Sequence, residues 1–368
     1  MRKQKITYSQ VGDNYDTKDP IKKLAQNAAA ATGRNLIKRG FEELASSRGE
    51  SAYVWKQGNT LMATMIEGLG TKTIVADDTR KITGKTYYDV CANDTVAYII
   101  NDLISVGAKP LTIHAYWAIE DNSWLADEKR MRDLIRGWQR ACDLSCASWG
   151  GGETATDKGI IVKGNIDLAG SAVGIIGSQK RLVTDKNLKA GDRILLLKST
   201  GINASGISLA RAIAKKLPKG YGAKLPSGKL FGEAIMTPCN IYANLVEDLL
   251  DNNIHIHYLN YISGHGMRKI MRARPDFTYV VEKLFEPQEI FPFIQKHANL
   301  DDFEMYQTYN MGQDYVVFLP EKDVKKAQKI IAKNGFKSLD AGYVEKGKRQ
   351  VVIKPKGLIY KGSTLDLR

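Results

Sequence analysis

Residues 61–72 read Leu61-Met62-Ala63-Thr64-Met65-Ile66-Glu67-Gly68-Leu69-Gly70-Thr71-Lys72. The first six form an apolar run of buried-strand length. An acid, two glycines, a threonine and a lysine come directly after it. A strand that ends this way suits a polyphosphate. Gly68 and Gly70 let backbone N–H groups approach phosphate, Thr71 and Lys72 add a hydroxyl and a positive charge, and Glu67 offers a carboxylate to Mg2+. A plain strand-to-turn junction with a surface lysine reads the same way, so the stretch gains meaning from its surroundings.

Upstream, residues 1–19 are polar and read as a mobile N-terminal arm carrying Tyr8-Ser9-Gln10-Val11-Gly12-Asp13. A helix is expected from Pro20, a permissive first helical position, to Ala31. Downstream, Val96, Ile99, Ile100, Leu103 and Ile104 recur at helical spacing, so a helix is expected from Asp94 to Val106. Strands are expected at 111–118, 160–162 and 167–176, and a second long helix at about 127–145, broken by Gly150-Gly151-Gly152. The composition turns polar at 177–189, where the domain boundary is expected: a nucleotide-binding and dimerisation domain at 20–180, and a C-terminal domain at 181–368. The second half opens on the apolar strand Ile194-Leu195-Leu196-Leu197 and a small-residue loop, 199–206. Helices are expected near 207–217, 242–250 and 321–334, one starts at Met267, and the strands 315–319, 338–344 and 351–353 end the chain, the last two as a closing pair. Strands and helices mix without regular βαβ repetition, so the fold class expected is α+β (mixed α/β).

The chain has 368 residues, enough for two cores. It has no apolar run of about 18 residues and no apolar signal core after its basic start, so neither a membrane span nor secretion is expected. Cys91, Cys142, Cys146 and Cys239 show no zinc spacing and read as reduced thiols of a cytoplasmic protein. The net charge of +14 is scattered, with short clusters such as Lys325-Lys326, which argues against nucleic acid as the partner.

Four acids stand near glycine-rich breaks: Glu67, Asp94, Asp102 and Glu153. Asp94 also suits a helix N-cap. Asp94 and Asn101 share a helix face about 10 Å apart, so a site using both would bridge a long ligand such as a triphosphate. Gly151-Gly152-Glu153-Thr154 places an acid and a hydroxyl after a turn. The Ser199–Gly206 loop leads into a helix, whose free N–H groups suit phosphate. His265, between two glycines, reads as exposed on a loop. His114 reads as structural, and His255 and His257 as alternating on a strand. No spacing supports covalent catalysis.

In order along the chain, these segments resemble the aminoimidazole ribonucleotide synthetase (phosphoribosylformylglycinamidine cyclo-ligase) family. Residues 8–13 are similar to its Tyr-x-x-x-Gly-x-Asp arm and 67–72 to its Asp-Gly-Val-Gly-Thr-Lys signature. Residues 94–110 resemble its long helix and turn, 151–155 its Gly-Gly-Glu-Thr-Ala, and 167–174 its Asp-x-Ala-Gly-x-x-Val-Gly strand. Residues 199–209 resemble its Ser-Gly-x-His-Ser-Asn-Gly-x-Ser-Leu loop, 263–266 its Thr-Gly-x-Gly turn, and 305–312 its Met-Tyr-Arg-Thr-Phe-Asn-x-Gly. The resemblance implies a two-domain fold whose N-terminal domain contributes to the barrel of a homodimer. It implies an enzyme that uses ATP and Mg2+ to close the imidazole ring of formylglycinamidine ribonucleotide in purine synthesis. ATP phosphorylates the formamide oxygen and the amidine-side nitrogen attacks that carbon, so catalysis is positional and electrostatic.

Carried onto this chain, the resemblance implies Lys72 and Asp94 as catalytic residues, and His265, in a turn where the family usually has glycine, is added to them as a catalytic candidate of this chain's own. The cofactor contacts are Gly68, Gly70, Thr71, Lys72, Asp94, Asn101, Gly151, Gly152, Glu153 and Thr154. The substrate contacts are Ser199, Gly201, Asn203, Ser205 and Gly206, and the Mg2+ ligands are Glu67, Asp94, Asp102 and Glu153. Departures stand out. The signature Asp is Glu67, the loop His and Asn are Asn203 and Ser205, the motif Arg is Gln307, and small residues after Gly312 are Gln313 and Asp314. Asn203 cannot transfer a proton as a histidine would, and His265 is the candidate replacement. Two other readings stay open: a phosphoryl-transfer relative, as selenophosphate synthetase and thiamine-monophosphate kinase are, and a basic binding module without catalysis.

Overall fold

Six strands form the first sheet: β1 (Glu42–Glu43), β2 (Tyr53–Gln57), β3 (Thr60–Gly68), β4 (Lys109–Ile119), β5 (Ser148–Thr156) and β6 (Ile166–Ile175). Their order is β1-β2-β3-β6-β4-β5, antiparallel except for the β4–β5 pair. Seven more form the second: β7 (Arg193–Lys198), β8 (Tyr258–Tyr261), β9 (Phe277–Val281), β10 (Gln313–Leu319), β11 (Ser338–Lys346), β12 (Gln350–Ile353) and β13 (Leu358–Lys361). Their order is β13-β12-β9-β11-β7-β10-β8. The structure is a computed structural model and describes residues 5–7, 9–11 and 15–365.

The α+β expectation holds, with one mixed sheet in each domain. The apolar runs at 61–66 and 194–197 lie in β3 and β7. Strand β10 is buried along its whole length, which is why it reads as a continuous apolar stretch around Tyr315–Leu319. The helix Tyr88–Leu103 packs on β3 and β6 with one face and on β8 with another. Every residue in it except Asp89 is buried, so it is a core helix rather than an amphipathic surface one.

Several expectations are corrected. The helix expected from Pro20 runs Tyr15–Ala31, with Pro20 inside it. Of the arm expected over 1–19, residues 1–4, 8 and 12–14 lie outside the described residues, and 15–19 open this helix. Asp94 is no N-cap: its helix begins at Tyr88, and Asp94 sits inside. Gly150-Gly151-Gly152 breaks nothing, because it belongs to β5. A Cβ on Gly152 would stand 2.2 Å from the Ala115 carbonyl oxygen, and one on Gly150 2.7 Å from the His114 ring. These two glycines let β5 pair closely with β4. His114 itself is exposed. Residues 160–162 form a turn with one isolated bridge, Lys158 to Ile161, and Ile160 and Val162 are exposed. His255 and His257 precede β8 rather than lying on it, and the segment from Gly266 to Met271 is a 3-10 helix. The closing strands β11 and β12 are not partners, because β9 lies between them.

Candidate active site

The turn after β3 has the shape the sequence suggests. Gly68 pairs with Ala169, Leu69 N–H donates to the Leu168 carbonyl at 2.8 Å, and Gly70 turns the chain at φ +70°. The helix Lys72–Thr83 starts at once, with Thr71 at its cap making no side-chain capping bond. Gly68 and Gly70 are exposed. The first backbone N–H groups of a twelve-residue helix therefore adjoin an open, glycine-lined turn, as an anion site requires.

Lys72 points away from that opening. Its side chain is fully buried and its Nζ donates to the Asp94 carboxylate and, at 2.8 Å, to the Asn203 carbonyl. Burial alone would lower its pKa, but Asp94 beside it, with Cys239 and Cys91 adding, holds it above the usual lysine value. Asp94 also accepts from Cys239 N–H at 2.8 Å and from Asn93 Nδ2 at 3.2 Å. Two turns on, Asn101 accepts from Tyr242 N–H at 3.0 Å and donates to the Asn240 carbonyl at 2.9 Å. Asn93 donates to the Cys239 carbonyl at 3.0 Å. Three side chains of one helix thus grip the backbone of residues 239–242 from the other domain. Lys72, Asp94 and Asn101 form a clamp between domains here, with their polar groups engaged inside the protein rather than lining the Glu67 cavity.

Glu67 and Asp102 do come together. They line a cavity of about 430 Å³ with Lys22, His265, Lys269 and Arg272. Burial first and then the Asp102 carboxylate push Glu67 up to about 7, with Lys269 pulling the other way. Burial and Arg272 press Lys269 down to about 8, against the pull of Asp102 and Glu67. His265 is the correction here: it is 4% exposed rather than out on a loop. The helix Tyr15–Ala31 covers it, with Asp19 Oδ2 3.6 Å from its Nε2. Burial and then Lys269, Arg268, Lys22 and Arg272 lower its pKa to about 2, so it is neutral at any working pH. Asp102 Oδ1 is buried with no hydrogen-bond partner among the described residues. Two acids facing a cavity, one with an orphaned oxygen and both opposite cations, fit Mg2+ shared with a phosphate, since Mg2+ takes few protein carboxylates and completes its shell elsewhere.

The expected four-acid metal set does not assemble. No group of three or more metal-type side chains occurs among the described residues. Asp94 is in the clamp, and Glu153 lies exposed with Thr154 on β5, the sheet's edge strand. Gly151 beside them has φ +110°.

The 199–206 loop is tied down by its own domain and by the clamp helix. Ser199 is buried and its hydroxyl lies 3.3 Å from Asn310 Oδ1, while Asn310 Nδ2 donates to the Gly201 carbonyl at 2.9 Å. Tyr98 OH lies 2.8 Å from Ser205 Oγ and accepts from Ala204 N–H at 2.9 Å. Gly206, φ +74°, has its carbonyl held by Tyr309 OH at 3.0 Å. Asn203, φ +61°, donates to Asp314 Oδ1 at 2.6 Å, and Tyr242 OH donates to Asp314 Oδ2 at 2.7 Å. Two departures from the family pattern, Asn203 and Asp314, are therefore hydrogen-bonded to each other. Burial raises Asp314 to about 7 despite the donors around it. Sequence reasoning missed Lys22, Lys269 and Arg272. The signal for Lys269 and Arg272 was the basic run directly after the Ser263–Gly266 turn, Arg268-Lys269 and Arg272, whereas nothing local marks Lys22.

The family model described as AIR synthase related protein, N-terminal domain, matches residues 49–176, and that for the C-terminal domain matches residues 189–354. The chain belongs to the AIR synthase family. Curated relatives in this family are named phosphoribosylformylglycinamidine cyclo-ligase. One from Methanosarcina barkeri is 31% identical over 333 residues, 90% of this chain and 93% of that protein. Another from Methanocaldococcus jannaschii is 32% identical over 330 residues, 89% of each. A third from Clostridium perfringens is 30% identical, covering 95% of this chain and 100% of that protein. Among solved structures, a thiamine-monophosphate kinase from Stenotrophomonas maltophilia has the AIR synthase-type fold with TM-score 0.59 at 14% identity, over 82% of this chain and 88% of that one. AaThiL complexed with AMPPCP and TMP gives 0.58 at 14% identity, over 85% and 90%. At these identities the likeness concerns the fold.

Proposed function

We propose that this chain is an ATP- and Mg2+-dependent cyclo-ligase that closes the imidazole ring of formylglycinamidine ribonucleotide, giving aminoimidazole ribonucleotide, ADP and phosphate. The observation that carries the reading is the cavity that sets Glu67 and Asp102 against Lys22, Lys269 and Arg272. Glu67 and Asp102 would hold Mg2+ in this reading, which would supply charge neutralisation for the phosphates. Lys22, Lys269 and Arg272 bind phosphate oxygens, and the Gly68–Thr71 turn supplies backbone N–H groups. His265 stays uncharged and acts as a hydrogen-bonding group. Lys72, Asp94 and Asn101 act as positioning residues that keep the two domains in register. Residues 199–206 shape the substrate side.

The same reading makes the protein a cytoplasmic homodimer with domains at 20–180 and 181–368. The change of sheet between Ile175 and Arg193 supports the boundary. The face of the first sheet that carries Ile66, Leu111 and Tyr116 is open to solvent, at 72%, 42% and 40% exposure, which supports a barrel closed by a second copy. No helix among the described residues is long and apolar enough to cross a membrane.

The test is ADP release from Mg2+–ATP with and without formylglycinamidine ribonucleotide, followed together with imidazole product. One product per ADP, dependent on the substrate, is expected. ATP turnover or binding without ring closure would move the assignment to another phosphoryl acceptor, with Asn203, Gln307 and Asp314 as the places where specificity diverged.

A further inference from the structure

A second cavity, of about 800 Å³, lies away from the first, between the segment joining the two sheets and the chain that leads into β8. Its rim holds Lys180, Arg181, Lys186 and Lys189, and its apolar wall includes Val183 and Ile256. The one carboxylate on it, Asp251, is already engaged by Arg181 Nη1 and, at 3.4 Å, by Lys109. The cavity therefore keeps an excess of positive charge. Arg181 is the most enclosed of the four cations. Its side chain is 18% exposed, and its Nε and Nη2 are buried without a hydrogen-bond partner among the described residues. Those two nitrogens are closed off from the open cavity and Nη1 is on Asp251, so Arg181 adds charge to the wall while the exposed lysines are what a phosphate would reach. Two histidines complete the wall, each held through Nδ1 by a carboxylate: His257 by Asp192 at 2.8 Å and His255 by Asp323 at 2.7 Å. Each ring is thereby oriented and keeps Nε2 as its second polar atom.

We propose that this cavity is a binding site for a small organic phosphate of mononucleotide size, separate from the site of ring closure. The volume is that of a small-molecule pocket, the cations suit a phosphate, and the apolar wall suits a base or other flat group. Val183 N–H donates at 3.1 Å to the Val106 carbonyl, at the foot of the helix that carries Asp94, Asn101 and Asp102. A ligand at this cavity sits one hydrogen bond from that helix.

Lys180, Lys186 and Lys189 are exposed, so reversing them spares the core. The experiment is calorimetric titration of AMP, and separately of inorganic phosphate, into the full chain and into K180E/K186E/K189E at low salt. Matched melting curves and unchanged ADP release by the variant check that the fold and the first site are intact. The expected result is a binding component that the variant weakens by about tenfold or more, as loss of charge-assisted phosphate contacts should, with AMP tighter than phosphate in the wild type. Superimposable AMP titrations of the two proteins would overturn the site. Phosphate binding as tightly as AMP would overturn the nucleotide class.

Discussion

Lys72 and Asp94 form a fully buried ion pair, and burial makes its two halves interdependent. Replacing Lys72 by methionine leaves Asp94 charged without its partner, so a loss of about 3–5 kcal/mol in urea unfolding is expected. Adding Asp94→Asn should restore part of it. A Lys72→Met protein that keeps its stability and loses only ADP release would instead place Lys72 on the substrate. Asp314 gives a pH signature. Its carboxyl is raised to about 7 when folded, so between about pH 4 and pH 7 the folded chain holds a proton that the unfolded chain has lost. Stability from this group is greatest below that window and falls as pH rises through it, levelling off above pH 7. Asp314→Asn removes the dependence. The stability difference should shift in favour of the variant by on the order of 1–3 kcal/mol from pH 5 to 7.5, read by thermal melts. A constant difference would mean that Asp314 titrates as an ordinary carboxyl.

At the scale of elements, the glycines of β5 carry the clearest prediction. Gly152→Ala drives a methyl against the Ala115 carbonyl and should cost about 1–3 kcal/mol or more by thermal denaturation. Gly159→Ala, with φ +85° but open space around it, should cost only about 1 kcal/mol. If both cost the same, close pairing of β4 and β5 is not the reason for Gly152. These glycines also show why some elements were legible and others not. β3 and β7 were readable because apolar runs ended at turn residues. The start of the Tyr88–Leu103 helix was not, because Tyr87 enters it at φ +57° with no side-chain cap. Gly150–Gly152 signalled a break because sequence shows the missing side chains and not the neighbouring strand that requires their absence. The site divided in the same way. The Glu67 turn is local, so its pattern survives in sequence. The approach of Asp102 to Glu67, the inward turn of Lys72 and the burial of His265 depend on which helix lies across which strand, and no spacing rule carries that.

Side chains of one helix bonded to the other domain's backbone are one part of what joins the two halves, beside pairs such as Lys109–Glu247 and Tyr258–Glu50, and one sheet face is left uncovered. If a second copy covers that face, Ile66→Glu should leave the fold intact and turn the dimer into a monomer in sedimentation velocity. A wild-type chain that sediments as a monomer would remove the barrel from the account. The helix Tyr15–Ala31 has the opposite character. Lys22 and Gln26 line the first cavity, yet outward residues such as Ile21 and Leu24 are 65% and 69% exposed. Little apolar area fastens it, so it belongs to the low-stability end of the molecule. If it opens on its own, it would uncover the cavity without disturbing either sheet. Substitutions along its outer surface would then change how long a ligand stays in the cavity more than the geometry of the groups beneath it.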